Sequence, residues 1–237
     1  MELSTLRNAT VGEIVTADYR TAQVFTAHDI DFCCGGNIPL VTICAEKGLD
    51  LAQIIQELQA VQEKADERSP NYGAWSLSFL ADYIVNTHHV YLKENDDQIV
   101  AYAKKTAEVH GKNHPELLEI SALFTKVAAD MAVHLKEEEE FFFPAVKRAE
   151  AARTAGAAPE AADQHLIRTS LKNLYQEHEA IGDAVHTIRH LAGNFAVPED
   201  ACNTFRVTYQ KLMEFEEDLH KHVHLENNIL FPKAADL

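Results

Sequence analysis

Basic charge is scarce in this chain of 237 residues: 21 Lys and Arg stand against 37 Asp and Glu, a formal net charge of −16. Nucleic-acid backbones and anionic lipid surfaces recruit basic patches, so this balance argues against both as partners and reads as a solubility feature. No apolar run approaches the length of a membrane span. The opening segment, Met1 to Arg7, lacks the basic start and apolar core of a secretory signal. Only four cysteines occur, Cys33, Cys34, Cys44 and Cys202, and their spacing is not that of a disulfide framework. These absences lead us to expect a soluble cytoplasmic protein with reduced thiols. Glycine and proline are also few, 9 and 7, and alternating β-branched runs are rare, which points to an all-α chain long enough for a buried core.

Breakers divide the chain. Residues 1–65 read as a small helical module: a helix over Val11 to Val24, a turn at Cys33-Cys34-Gly35-Gly36-Asn37-Ile38-Pro39, then helices over Leu40 to Lys47 and Leu51 to Glu63. Gly48 suits the C-terminal stop of the first of these two helices and Asp50 the N-cap of the second. Polar residues ending in Pro70 and Gly73 suggest a linker at 66–75. Residues 76–237 then carry four long helical patterns, about 76–110, 115–150, 164–193 and 198–233, with short connections that predict an up-down-up-down four-helix bundle.

Each pattern has a stripe at helical spacing that is apolar except at one or two positions. The stripes are Leu77, Ala81, Ile84, His88, Tyr91; Val127, Met131, His134, Glu138, Phe141, Ala145; Leu171, Leu174, His178, Ile181, Val185, Ile188; and Leu212, Phe215, Leu219, His222, Glu226, Ile229. Two stripes share a repeat, His134 to Pro144 and His222 to Pro232, each with a Glu four residues after the His and a closing Phe-Pro. Positions i and i+4 lie on one helix face, so each repeat aims an imidazole and a carboxylate at one point. A carboxylate in an apolar core costs several kcal/mol unless it is paired or bound to a cation, and the stripes hold no Lys or Arg. Four imidazoles and two carboxylates suit iron, and also manganese or zinc. With two oxygens each, Glu138 and Glu226 are placed as bridges between two metals, and His88, His134, His178 and His222 as terminal ligands, with positions left open for solvent or a small diatomic ligand. Glu137, Glu139 and Glu140 point off the stripe and read as solvated.

The order His-then-Glu is neither the Glu-x-x-His of ferritin-like bundles nor the His-Glu-x-x-His of zinc proteases. The arrangement resembles the hemerythrin-like bundle, although Gly182 stands one turn after His178 where hemerythrin has another His. Together with Asp31-Phe32-Cys33-Cys34-Gly35-Gly36 and the closing Glu226-Asn227-Asn228-Ile229-Leu230-Phe231-Pro232, the whole chain resembles the iron–sulfur cluster repair di-iron proteins, the repair of iron centres family. That resemblance implies a non-haem di-iron centre, a cytoplasmic setting, and restoration of iron–sulfur clusters damaged by nitric oxide or oxidants. The ligand roles it implies fall on His88, His134, Glu138, His178, His222 and Glu226. His89 adjoins the first of these; stripe phase favours His88, with His89 about 100° round the helix.

Cys33 and Cys34 admit three readings: thiols packed in a glycine-assisted turn, a redox pair, or transient ligands for iron or sulfur. They are the candidate catalytic groups, and an exposed turn there would permit cross-linking into a homodimer. Cys44 and Cys202 read as inert. His110, His114, His165, His186, His190, His220 and His224 read mainly as surface residues. The expected function is repair of damaged iron–sulfur proteins by iron donation, by chemistry on nitric oxide, or both. The alternatives are a sensor or store of oxygen, nitric oxide or iron without repair activity, and a di-iron oxidase or peroxidase.

Overall fold

The computed structural model describes residues 3–63 and 70–237. The chain is all-α, with no strand among the described residues beyond an isolated bridge between Thr10 and Pro39. None of the described helices is long and apolar enough to cross a membrane. Two compact units emerge, one from residues 1–80 with 220–236, the other from 81–219 with Leu237. Part of the expected linker at 66–75, residues 66–69, lies outside the described residues.

The first unit begins with α1 (Leu3–Asn8) and α2 (Val11–Ala17). Thr10 and Glu13 start α2 with a reciprocal capping box: Thr10 Oγ1 accepts from the Glu13 N–H at 3.2 Å and Glu13 Oε2 from the Thr10 N–H at 2.8 Å. The single helix expected over Val11 to Val24 is interrupted. Asp18 is extended, and its carboxylate caps a 3-10 turn (Tyr19–Thr21) and receives the Arg20 guanidinium, so the chain restarts as α3 (Ala22–Ala27). Helices α4 (Leu40–Lys47) and α5 (Leu51–Glu63) run as their sequence signals suggest. Gly48 takes the left-handed φ of 66° that ends α4, and Asp50 Oδ1 accepts from the Ala52 N–H at 2.9 Å. Val11, Ile14, Phe25, Leu40, Ile54, Leu58 and Phe231 are fully buried in this unit or nearly so, and each such side chain contributes about 1.5–3 kcal/mol.

The second unit is a helical bundle. Its rods are α6 (Leu77–Ile84) continuing into α7 (Val90–His110), α8 (Glu116–Glu137) continuing into α9 (Phe143–Thr154), α10 (Ala161–Leu191), and α11 (Asn203–Leu225) as far as Leu219. Their short connections make neighbours antiparallel. Helix α8 packs on α7 and on α10. Helix α11 is tied to each of the others: Phe215 meets Phe124 edge to face at 4.9 Å, Thr208 hydrogen-bonds Thr106 at 2.7 Å, and the buried Glu216 carboxylate accepts a fork from Arg189. Three successive left-handed residues, Gly193, Asn194 and Phe195, end α10, and Arg189 stacks over the Phe195 ring at 5.1 Å.

Three π-turns interrupt the long rods: Val85–His89 between α6 and α7, Glu138–Phe142 between α8 and α9, and Glu226–Leu230 between α11 and α12 (Phe231–Ala235). A π-turn takes in one extra residue and rotates everything after it. The stripe phase therefore slips by one. Leu92 is fully buried while Tyr91 is only half-buried, and Phe142 is buried while Phe141 is 53 % exposed, the reverse of the expected stripe. Local chemistry accounts for the turns. Pro144 and Pro232 follow two of them; a proline ring lacks the N–H and crowds the carbonyl four residues back, and a wider turn relieves both. In the third, Asn86 Nδ2 donates to the Asp82 carbonyl at 2.7 Å, occupying the acceptor that a regular helix would offer a backbone N–H.

Asp96 on α7 is half-buried, and its shielded Oδ1 has no hydrogen-bond partner among the described residues. Burial first, then the charges of Asp97 and Asp218, push its carboxyl up to about 7. A carboxyl raised above its unfolded value stabilises the fold below that value and loses the contribution as pH rises toward 7. Asp96→Asn removes the ionisation, so thermal unfolding should occur roughly 2–4 °C higher at pH 8 and shift much less at pH 5. Equal shifts at both pH values would refute this assignment.

Candidate metal centre

Within the bundle unit, four side chains converge from three rods. His134 and Glu138 sit one turn apart at the end of α8, His178 lies at mid-length in α10, and His89 closes the first π-turn. All four are at most 1 % exposed. His134 Nε2 lies 3.4 Å from Glu138 Oε2, His89 Nε2 lies 3.5 Å from the same oxygen, and His178 Nε2 lies 3.0 Å from His134 Nε2.

The outer nitrogens fix which ring atoms face inward. His134 Nδ1 is 2.8 Å from Glu177 Oε2, and His89 Nδ1 is 2.8 Å from Glu139 Oε1. An ionised carboxylate only accepts, so in both rings Nδ1 carries the proton and donates it. With Nδ1 committed outward, each ring turns its Nε2 toward Glu138, and that of His134 also lies at hydrogen-bond distance from His178 Nε2. The hydrogen bond from His134 holds the Glu177 carboxyl below the usual range. Burial tends to raise Glu139, but hydrogen bonds from Lys93 and His89 outweigh it and its carboxyl is lowered. Lone pairs on two nitrogens and a carboxylate, brought together away from water, repel one another unless a cation lies among them. This donor set fits a transition metal of the iron, manganese or zinc class, and the carboxylate behind each imidazole is the usual outer support of such a ligand.

In the other unit, His222 Nε2 lies 3.1 Å from Glu226 Oε1, and both side chains are fully buried. This pair has the same i, i+4 arrangement as His134 and Glu138, and in both the Glu opens a π-turn.

The structure thus brings His134, Glu138 and His178 together and pairs His222 with Glu226, but it does not bring His88 to Glu138. His88 faces the other way: its Nδ1 lies 2.9 Å from Asp218 Oδ1, and its ring meets Tyr83 edge to face. The cause is the π-turn at Val85–His89, which advances the phase by one residue and delivers His89. Sequence reasoning also missed Glu139, expected to be a plain solvated residue, and Glu177. Asn86 and the His88-His89 doublet were the available signals for the first departure; nothing local marks Glu177 as the partner of His134. His224 is a further departure, being fully buried with its ring against Tyr19 and Phe32. Desolvation lowers it to about 4.

The thiols separate by environment. Cys33 is buried and Cys34 half-buried beside Asp31, and Cys44 is buried. Cys202, expected to be inert, is exposed just before α11. The backbone N–H of Phe205, then His110 at 3.1 Å, lower its thiol to about 7.

Comparison with known proteins gives two family matches along the chain. Residues 80–234 match the hemerythrin HHE cation binding domain, and residues 7–62 match the ScdA_N domain, described as of unknown function. The chain is similar to the iron-sulfur cluster repair protein ScdA of Staphylococcus epidermidis, 30 % identical over 226 residues that cover 95 % of this chain and 97 % of the relative. The ScdA of Staphylococcus haemolyticus is 31 % identical over 225 residues, with the same coverage of both chains. The iron-sulfur cluster repair protein YtfE of Yersinia pestis is 29 % identical over 228 residues, covering 96 % of this chain and 97 % of that protein.

Two outcomes follow from this geometry. Glu177→Gln should weaken divalent-cation binding by the folded chain by roughly 10–100-fold, read by competition with a chromogenic chelator; unchanged affinity would refute its orienting role. Alkylation of Cys202 by iodoacetamide should accelerate with pH around a midpoint near 7, because thiolate is the reacting form. His110→Ala should move that midpoint upward, and a midpoint that stays put would remove His110 from the account.

Proposed function

The chain belongs to the hemerythrin HHE cation-binding family, joined to an ScdA_N module, and from that premise we propose that it repairs iron–sulfur clusters damaged by nitrosative or oxidative stress. Its working centre is two non-haem irons held by His89, His134, Glu138, His178, His222 and Glu226. Here His89 takes the role that stripe phase gave to His88. Glu138 and Glu226 each have two oxygens and serve as the bridging carboxylates. The reading rests above all on one observation: a fully buried carboxylate, Glu138, faces two imidazoles whose outer nitrogens are committed to other carboxylates.

Iron bound there supplies exchangeable coordination positions, suited to a diatomic ligand such as nitric oxide or oxygen and to release of the metal toward a damaged cluster. The protein's own contribution is orientation and exclusion of water. Glu139 and Glu177 keep the His89 and His134 rings in the Nδ1-protonated form. Lys93 reaches Glu139 at 2.5 Å and keeps that outer carboxylate ionised. Leu135 and Phe142, each at most 2 % exposed, flank the Glu138 turn with apolar surface. Damaged iron–sulfur proteins are the clients, and the setting is the cytoplasm. The names of the relatives favour repair over a sensor or store, as does the ScdA_N module, for which a simple carrier has no evident use.

The deciding experiment is metal analysis of protein purified without oxygen, paired with a repair assay on a nitric-oxide-damaged iron–sulfur enzyme. The full chain should contain about two irons and restore activity, and the Glu138→Ala/Glu226→Ala double variant should lose both. Repair that persists without bound iron would sink the proposal. Full iron content without repair would return the protein to the sensor or store reading.

A further inference from the structure

The turn after α3 gathers three donors that the bundle does not use. Asp31, Cys33 and Cys34 present a carboxylate oxygen and two sulfurs all within 4.8 Å of one another. The carboxylate is fixed by the backbone. Asp31 Oδ1 accepts from the N–H groups of Cys33 and Cys34 at 2.8 and 3.0 Å, and Oδ2 from that of Gly35 at 2.8 Å. Cys33 Sγ donates to Asp31 Oδ1 at 3.0 Å. The thiol proton therefore lies between sulfur and oxygen, where a cation would replace it.

The turn is also held from outside, by the segment that follows Glu226. Asn228 Nδ2 donates to the Phe32 and Cys33 carbonyls at 3.3 and 3.1 Å, and Asn227 Nδ2 reaches the Cys33 carbonyl at 3.5 Å. Gly36 lets Asn228 approach: a Cβ there would lie 2.3 Å from its side-chain oxygen. Two amide side chains and a glycine spent on carbonyls that neighbour the sulfurs hold the dithiol in one shape.

That shape does not suit a disulfide. Adjacent Cα atoms are about 3.8 Å apart, short of the roughly 4.4 Å at which ordinary disulfides begin. It does suit chelation. Donors around a four-coordinate zinc-like ion lie about 3.5–4 Å apart at usual bond lengths, so small side-chain rotations close the set. Hydrogen bonding of the Cys33 S–H to Cys34, then burial, holds the Cys33 thiol well above its ordinary value. The Cys33 thiol thus keeps its proton until a cation displaces it.

We propose that Asp31, Cys33 and Cys34 form a second, thiolate-based site for a single divalent thiophilic cation of the zinc(II) or iron(II) class. Binding converts two thiols to thiolates and releases their protons to solvent, with no change of oxidation state. Cys34 and Asp31 are only half-buried, so the remaining coordination positions face solvent and the ion exchanges. The site shares no ligand with the bundle's set.

Cobalt(II) titration of the reduced, full-length protein tests this, because thiolate–cobalt charge-transfer absorption is not given by nitrogen and oxygen ligands. About one cobalt per chain should develop that absorption and release about two protons. The Cys33→Ser/Cys34→Ser double variant should lose the band, the Cys44→Ser/Cys202→Ser variant should keep it, and Asp31→Asn should weaken binding about tenfold. In the unaltered chain, zinc should protect Cys33 and Cys34 from alkylation and leave Cys202 reactive, a readout that does not depend on any variant folding. A missing band in folded protein, a band that survives loss of Cys33 and Cys34, or no protection by zinc would overturn the proposal.

Discussion

The repulsion among acceptors around Glu138 is the constraint from which the rest of the bundle follows. A carboxylate with no exposure to water and two imidazoles turned toward it with bare nitrogens is an arrangement that apolar packing alone destabilises. It persists because each ring is held from behind: the Nδ1 atoms of His89 and His134 are anchored to Glu139 and Glu177. Were those outer carboxylates absent, either ring could switch tautomer and satisfy Glu138 directly, and the convergence of lone pairs would be lost. The acidic composition serves this arrangement locally, because the outer carboxylates sit at the bundle surface where solvent and Lys93 offset their charge.

The second structural device is the widened turn. A regular helix places a residue on the same face every three or four positions, and that rule was enough to read His134 with Glu138, His178, and His222 with Glu226 from sequence. It failed where the helix stops being regular. The rod expected over about 115–150 does continue through Pro144, as far as Thr154. The proline makes the turn before it wider, which periodicity alone does not signal. One residue of slip explains Phe142 in place of Phe141 and Leu92 in place of Tyr91, and with them His89 in place of His88. No proline marks the first π-turn, and Asn86, whose amide takes the Asp82 carbonyl, is a weak signal by itself.

The all-α character and the bounds of α4 and α5 were legible because local signals decide them: a left-handed glycine, an Asp cap, sustained periodicity. Long-range polar contacts were not. Glu177 stands beside His178 in sequence but serves His134, and no spacing rule relates residues on two different rods. Asn227 and Asn228 look like helix-surface amides, yet they are engaged by the Phe32 and Cys33 carbonyls almost two hundred positions away in sequence. His224 fails in the same way: it lies off the stripe, and it is buried because the first unit packs Tyr19 and Phe32 against it.

The two donor sets differ in burial and in what would compete with a cation. Around Glu138 the ligands are nitrogen and oxygen atoms on rigid rods, shielded from water and braced by outer carboxylates. A metal held there, as proposed, would meet donors already oriented by those outer carboxylates. Asp31, Cys33 and Cys34 lie on a turn, half open to solvent, and their competing state is an ordinary protonated thiol rather than a stranded charge. Losing a cation there costs little, since two protons restore a satisfied structure. The backbone amides that hold Asp31 and the asparagines that hold the neighbouring carbonyls keep the turn in place in either state, so exchange needs no refolding. The two donor sets thus differ in depth: one is enclosed by packed rods, and the other sits on a braced turn whose sulfurs and carboxylate already satisfy one another.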